Sequence, residues 1–253
     1  MTYKSAAEFT YDRLRNDILG GEFLPGAQII EAEWARRLGV SVTPLREALR
    51  RLEAEGLVVR RQHRDVRIRP FTLVEARSVY EFRAVLDPLA VGLATAHMTV
   101  NETRRLDEVF RFQTQMQADG RLRELEQGNY EFHTMIARFS RNVALWETVD
   151  RLWLSISLLR AVAWSQDANR PREATDEHEM LLNAMKRKSV DEAVALSRSH
   201  AKRAWQRVEE ALQKVFADPD GGENNVGPMD DCVVQSVLHM ALDDAKRKTR
   251  PAL

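Results

Sequence analysis

Short apolar stripes separated by turn residues predict three helices in the first seventy residues. Tyr11, Leu14 and Ile18 recur at helical spacing ahead of a glycine pair, which predicts a first helix that ends there. A second helix is predicted over residues 31–38, where the following glycine ends it. A third is predicted over residues 41–56, again with a glycine at its end.

The third helix is amphipathic, with an apolar stripe on one face and arginines on the other. The stripe has the spacing of a buried helix face and consists of Leu45, Ala48, Leu49 and Leu52. We expect Thr43 to cap this helix and the proline after it to take the first helical position. On the polar face, Glu47 and Arg51 are spaced to pair. That pairing would leave Arg46 and Arg50 to contact a partner.

Two strands are predicted after the third helix, at residues 57–61 and 66–69, around a tip that contains His63 and Arg64. Short helices, a sharp turn, a basic third helix and a hairpin together make a winged helix-turn-helix. In that fold the third helix enters the major groove of DNA. We therefore expect residues 1–70 to form a winged helix-turn-helix DNA-binding domain.

Long amphipathic stretches with little glycine or proline dominate the rest of the chain and predict an all-α antiparallel helical bundle over residues 71–216. Six helices are expected, at residues 72–97, 102–118, 121–140, 143–166, 171–187 and 190–215. Residues 217–253 have the composition of a flexible linker, followed by one more amphipathic stretch at 229–248. The predicted fold is mainly α, with two domains and a tail.

The net charge of zero argues against nucleic-acid binding until its distribution is considered. Residues 36–69 contain ten arginines and four acidic residues, so this stretch carries a charge of +6. The single cysteine, Cys232, excludes an internal disulfide framework and a cysteine-based zinc finger. No apolar run approaches the roughly 18 residues of a membrane span, and the first residues lack a signal-peptide core. We expect a cytoplasmic protein with no membrane contact.

Two segments of the N-terminal domain resemble one known family. Residues 11–26 read YDRLRNDILGGEFLPG, and residues 38–57 read LGVSVTPLREALRRLEAEGL. Together they resemble the DNA-binding domain of GntR-family regulators. The resemblance implies that Thr43, Arg46 and Arg50 lie on the DNA-contacting helix. It also implies that the wing tip, with His63 and Arg64, approaches the minor groove.

The sequence departs from this family at two positions. Val42 stands where the family usually has an arginine, so one expected DNA contact is missing. The wing tip has Arg64 and Asp65 where the family usually has a glycine. The first departure removes a DNA contact, and the second leaves the geometry of the hairpin open.

Polar residues with metal-ligand chemistry are spread over three helices of the predicted bundle. Asn129 and His133 are four residues apart and share a helix face, whereas His178 and His200 lie on two further helices. Three imidazoles and one oxygen donor could hold Zn, Ni or Mn. The apolar residues around these histidines are equally compatible with ordinary core packing.

The segments at 129–145 and 177–185, together with His200, resemble the ligand-binding FCD domain of FadR-like GntR regulators. Six helices match the shorter, VanR-type variant. The resemblance implies a divalent metal held by Asn129, His133, His178 and His200, with a carboxylate metabolite bound beside it.

Three further expectations follow from this resemblance. Asparagine stands at position 129 where the family usually has aspartate, so we expect weakened metal binding. Glu126, three residues earlier on nearly the same face, could compensate or be an ordinary solvated residue. Arg83 could meet an effector carboxylate or form a salt bridge to a neighbouring acid.

These observations predict a transcription regulator, expected to be a repressor, rather than an enzyme. We expect a homodimer that binds double-stranded operator DNA under the control of a small organic acid. One alternative is a metal-dependent helical enzyme fused to a DNA-binding module, although the sequence has no His-Glu-x-x-His run, nucleophile motif or phosphate loop. The other is a dimerisation scaffold without an effector.

Overall fold

The structure, a computed structural model, describes residues 5–20, 22–23, 25–60, 66–166 and 170–215. The predicted wing tip with His63 and Arg64, and the predicted helix at 229–248, lie outside the described residues.

The N-terminal part contains three helices and a small sheet. The helices are α1 (Ala6–Leu19), α2 (Glu31–Leu38) and α3 (Val42–Ala54), and the strands are β1 (Gln28–Ile29), β2 (Val58–Arg60) and β3 (Val66–Ile68). The sheet order is β1-β3-β2, and both pairings are antiparallel. This arrangement confirms the predicted winged helix-turn-helix and adds the short strand β1.

Local signals set the helix ends in this part, and one of them differs from our prediction. Helix α2 ends on Gly39, whose φ of 67° is the left-handed conformation that glycine adopts readily. Helix α3 begins at Val42 after Ser41, so Thr43 lies inside the first turn. The prediction that Thr43 caps the helix was therefore wrong. The predicted apolar stripe of α3 is buried, with Leu45 and Leu49 fully inaccessible to solvent.

The C-terminal part is a bundle of six helices in the described residues. They are α4 (Leu73–His97), α5 (Val100–Ala118), α6 (Leu122–Phe139), α7 (Val143–Gln166), α8 (Arg170–Lys186) and α9 (Val190–Val215). Each agrees with its predicted range within two residues. Capping boxes fix the starts of α4, at Thr72 and Glu75, and of α5, at Thr99 and Glu102. In the described ranges no helix is long and apolar enough to cross a membrane.

The two parts meet where α1 packs against α6 and α7. Arg123 at the start of α6 bridges two acids of the N-terminal part, with Nη2 2.9 Å from Asp17 Oδ1 and 2.9 Å from Glu22 Oε1. Gly20 lies under this arginine, because a Cβ atom there would stand 2.7 Å from Arg123 Cγ. A cavity of about 200 Å³ lies at the same junction.

Candidate functional site

The exposed face of α3 carries the residues expected to contact DNA. Thr43 and Arg50 are exposed, and Arg46 is partly exposed. Arg46 donates from Nε to Glu31 Oε2 of α2 over 2.7 Å, so it is engaged within the protein as well as facing solvent. Arg51 lies with its guanidinium carbon 3.7 Å from the centre of the Tyr11 ring, although we predicted a pair with Glu47.

Three helices of the bundle bring three histidines together. His133 of α6, His178 of α8 and His200 of α9 are all buried, and each offers one ring nitrogen within 4.8 Å of the other two. The Nε2 atoms of His133 and His178 are 3.1 Å apart, and those of His178 and His200 are 3.4 Å apart. Two ligands on one zinc ion, each at the usual Zn–N distance, are separated by about 3.3 Å. The histidine triad therefore has metal-ligand spacing.

Oxygen atoms outside the triad hold the other ring nitrogen of each histidine. His178 Nδ1 is 2.8 Å from Gln113 Oε1, and the amide of Gln113 is oriented by its own bond to the Gly128 carbonyl. His200 Nδ1 is 2.5 Å from Glu177 Oε2, and His133 Nδ1 is 3.4 Å from Asp87 Oδ2. Since Gln113 Oε1 and the Glu177 carboxylate accept, Nδ1 of His178 and of His200 carries the proton, and the Nε2 lone pair of each faces the triad. The Asp87 carboxylate lies on the Nδ1 side of His133 and favours the same tautomer there.

Burial keeps the triad neutral. It lowers the pKa of His133 and His178 well below the ordinary 6.5, and the neighbouring histidines and arginines act in the same direction. Burial also lowers the pKa of His200 to about 4, although the hydrogen bond to Glu177 opposes it. Glu177 itself has a pKa of about 2, because the bonds and charges of His200 and Arg207 outweigh its burial. Neutral imidazoles are the form that binds metal.

Arg83 of α4 is fully buried at the edge of the triad. Its Nε donates to Asp87 Oδ2 over 2.9 Å, which is the salt bridge that we considered from the sequence. Its Nη2 is 2.9 Å from His200 Nε2, and its guanidinium carbon is 4.8 Å from the centre of the Trp153 ring. Arg83 Nη1 has no hydrogen-bond partner in the described part of the chain.

Asn129 and Glu126, both on α6, differ in their surroundings. Asn129 is buried one turn before His133, and its Nδ2 has no partner among the described residues. This orphaned amide N–H, one helical turn from His133, is a donor that an anionic or other hydrogen-bond acceptor would satisfy. Glu126 Oε2 lies 3.1 Å from Arg160 Nη2, and the metal-ligand cluster of the described ranges contains the three histidines without Glu126.

Comparison with known proteins identifies both parts of the chain. Residues 6–68 match the family described as bacterial regulatory proteins, gntR family, and residues 78–203 match the FCD domain. Together the two matches cover about three quarters of the chain. The chain belongs to the GntR family and carries an FCD domain. It is a transcription regulator and not an enzyme.

Several transcription regulators are similar to most of this chain. The helix-turn-helix regulator YdhC of Bacillus subtilis (strain 168) is 28% identical over 184 residues, which are 72% of this chain and 82% of YdhC. The repressor RspR of Escherichia coli (strain K12) is 20% identical over 204 residues, 81% of this chain and 89% of RspR. The structure of Escherichia coli McbR/YncC matches with a TM-score of 0.69 at 22% identity, covering 84% of this chain and all of that one.

The regulator has a further group of buried and partly buried charges that our sequence reasoning missed. Arg160 of α7 and Arg207 of α9 join Arg83 and His200 around a cavity of about 20 Å³, whose lining also includes Trp164 and small apolar residues. None of its described lining residues is acidic. Arg160 stands alone in the apolar run Leu-Leu-Arg-Ala-Val at 158–162, and that isolation was the available signal.

Proposed function

We propose that this GntR regulator is a repressor whose operator binding is controlled by a small organic anion in the bundle. The observation that carries this proposal is the convergence of three arginines, Arg83, Arg160 and Arg207, beside a neutral histidine triad. The lining presents three guanidinium groups and no carboxylate, although each arginine also pairs with an acid outside the lining, namely Asp87, Glu126 or Glu177. A carboxylate is the ligand that can compete for these N–H donors. The volume of about 20 Å³ holds one water-sized group, so a larger anion requires side chains to move.

The DNA contacts in this proposal come from α3 and the wing. Thr43, Arg46 and Arg50 would meet base edges and phosphates in the major groove. His63 and Arg64 at the wing tip would approach the minor groove. The exposure of Thr43 and Arg50 and the partial exposure of Arg46 support the first part.

A divalent metal, Zn, Ni or Mn, is proposed at the histidine triad. His133, His178 and His200 would bind it through Nε2, with Asn129 as the candidate fourth ligand. A bound metal would supply positive charge that attracts the carboxylate of the effector. Gln113, Glu177 and Asp87 would hold the histidines in the required tautomer.

We also propose that the regulator is a homodimer, because winged helix-turn-helix proteins read paired half-sites through two-fold symmetry. An apolar surface on α4 and α7 supports this. Phe82 is 49% exposed there, and Val79, Val85 and Leu152 lie beside it around one shallow depression. A second copy of the same surface would cover these side chains.

The domain boundaries remain proposals of the same kind. Residues 1–70 would bind DNA, residues 71–216 would bind the effector and dimerise, and residues 217–253 would form a dispensable linker and tail.

Fluorescence anisotropy with the mapped operator tests the regulatory function directly. Mono-, di- and tricarboxylates are titrated into the protein–operator complex, and thermal shift reports their binding to the free protein. We expect at least one carboxylate to raise the melting temperature and to release the operator. We expect Arg160→Met to lose both effects while still binding operator. Failure of every carboxylate to shift the melting temperature would favour the alternative, a dimerisation scaffold without an effector.

A further inference from the structure

Arg83 makes its contact with the one atom of His200 that a metal would need. The Nη2 atom of Arg83 is 2.9 Å from His200 Nε2, while His200 Nδ1 faces the Glu177 carboxylate. Because Nδ1 carries the proton, Nε2 has a lone pair, and arginine can only donate. The guanidinium therefore occupies the lone pair. A single lone pair cannot bind an arginine N–H and a metal ion at the same time.

The surroundings of Arg83 hold it in this position. Its Nε is fixed by Asp87 over 2.9 Å, and its guanidinium stacks near Trp153 and Tyr80 at 4.8 Å and 5.5 Å from the ring centres. The side chain is fully buried. These contacts place a permanent positive charge, together with a hydrogen-bond donor, at one corner of the triad.

Among the described residues, Nε2 of the other two histidines faces imidazole nitrogens rather than an arginine. The Nε2 atoms of His133 and His178 are 3.1 Å apart, and both Nδ1 atoms face oxygen acceptors. When both rings carry the proton on Nδ1, two lone pairs face each other at this distance, and a cation placed between them removes their repulsion. The triad therefore has two nitrogens arranged for a metal and a third already used by Arg83.

We propose that Arg83 is an internal cation that competes with the metal for His200 Nε2. The inference rests on the proposed metal binding at the triad and adds its regulation. Metal can take all three histidines only when the guanidinium leaves His200. An anion that pairs with Arg83 would release that nitrogen and so favour metal binding.

Calorimetric titration with Zn²⁺ alone tests the competition, using the full chain freed of metal by a chelator. The variant Arg83→Met keeps a long side chain and removes the donor. We expect it to bind Zn²⁺ at least about tenfold more tightly than wild type, because a hydrogen bond from a charged donor no longer has to be broken.

Arg77→Met is the matched control, because Arg77 lies on the same helix and pairs with an acid four residues later, as Arg83 does, but belongs to neither the triad nor the cavity. We expect Arg77→Met to change Zn²⁺ affinity less than about threefold, the effect of one lost charge alone. Equal tightening in the two variants would show a general electrostatic effect and would overturn the competition. Unchanged or weaker binding in Arg83→Met would overturn it as well.

Folding of Arg83→Met needs a safeguard, because Asp87 would lose its buried partner. The double variant Arg83→Met/Asp87→Asn removes the whole ion pair and keeps an oxygen near His133, and it should show the same tightening. His178→Ala should abolish binding and so locate the metal at the triad. If none of these proteins binds Zn²⁺, both the metal site and the competition are overturned. Operator affinity, measured on the same preparations, tests the proposed regulatory function separately.

Discussion

Arg46 of α3 is held by Glu31 of α2, with 2.7 Å between Nε and Oε2. Arg60 of β2 lies near the same carboxylate, with Nη1 3.5 Å from Glu31 Oε1. One acid at the start of α2 thus links the proposed recognition helix to the first strand of the wing. The pairing limits the orientations of Arg46 before DNA arrives, which lowers the entropy cost of binding.

We expect Arg46→Ala and Arg50→Ala each to weaken specific operator binding by about 1 to 3 kcal/mol if they contact bases. A smaller loss of affinity, together with a weaker dependence of affinity on salt concentration, would indicate contacts to phosphates instead.

Glu31→Gln should weaken specific operator binding too, because Arg46 loses its charged partner. Glu33→Gln, on the same helix, is the matched control for loss of an acid. Fluorescence anisotropy over a salt series measures all four, and unchanged affinity in both arginine variants would refute the assignment.

Asn129→Asp should strengthen metal binding at the triad by at least about tenfold, since a charged carboxylate replaces a neutral amide. The same change could blunt the response to an anionic effector, because the new charge repels it. Asn142→Asp makes the identical chemical change in the turn before α7, where the side chain accepts from Leu145 N, and should leave metal affinity unaltered. Calorimetry with Zn²⁺ checks both, and equal affinity of Asn129→Asp and wild type would place residue 129 outside the ligand set.

The neutral triad predicts acid sensitivity of the fold. The folded pKa of His200 is about 4 and those of His133 and His178 are well below 6.5, so the unfolded chain binds more protons between about pH 4 and 6.5. The stabilisation is complete above about pH 6.5 and is lost as the pH falls, by at most about 1.4 kcal/mol per pH unit for each histidine. Glu177 affects the free energy of unfolding at lower pH. Its pKa is lowered from 4.5 to about 2, so the stability that it contributes above pH 4.5 is lost as the pH falls toward 2.

Urea unfolding at a series of pH values, with a chelator present, measures how steeply the free energy of unfolding changes with pH. His133→Gln should flatten the slope between about pH 4 and 6.5, because one protonatable group is removed from the cluster. His97→Gln, on α4 outside the triad, is the control. A wild-type free energy of unfolding that stays constant from pH 7 to pH 5 would contradict the prediction.

Local signals explain why the helices could be predicted from the sequence. Periodicity gave the bundle helices within two residues of those observed, and Gly39 ended α2 as expected. The capping boxes at Thr72 and Thr99, which begin α4 and α5, were local signals that the prediction did not use. Strand β1 was missed because its two residues are too few for an alternating pattern. It exists through its pairing with β3, which lies far along the chain.

The site was only partly predictable, since its decisive contacts are non-local. Spacing placed Asn129 and His133 on one helix face, and residue chemistry indicated His178 and His200 on two further helices. The family resemblance then joined the four residues into one expected site. No spacing rule connects His200 to Glu177, which precedes His178 in sequence but bonds to the other histidine. Likewise, the pair between Arg46 and Glu31 depends on how α2 crosses α3, and it was not foreseen.

Phe82→Glu should weaken dimerisation, because a charge placed on the proposed apolar surface of α4 and α7 cannot be buried without a partner. Val143→Glu, at another exposed apolar position, is the control. Analytical ultracentrifugation should show monomer for Phe82→Glu and dimer for the control and wild type. A dimeric Phe82→Glu protein would remove this surface from the proposed interface.

Arg123 is expected to hold α1 against the bundle through its bonds to Asp17 and Glu22. Since α6 carries both Arg123 and His133, a shift of this helix on ligand binding would be felt at the DNA-binding part. Arg123→Gln should therefore speed amide hydrogen exchange in α1, measured by mass spectrometry. Arg121→Gln is the matched control, because Arg121 pairs with Glu124 inside the bundle. Equal exchange in α1 of wild type and Arg123→Gln would show that the apolar packing of α1 on α6 and α7 holds the junction without this arginine.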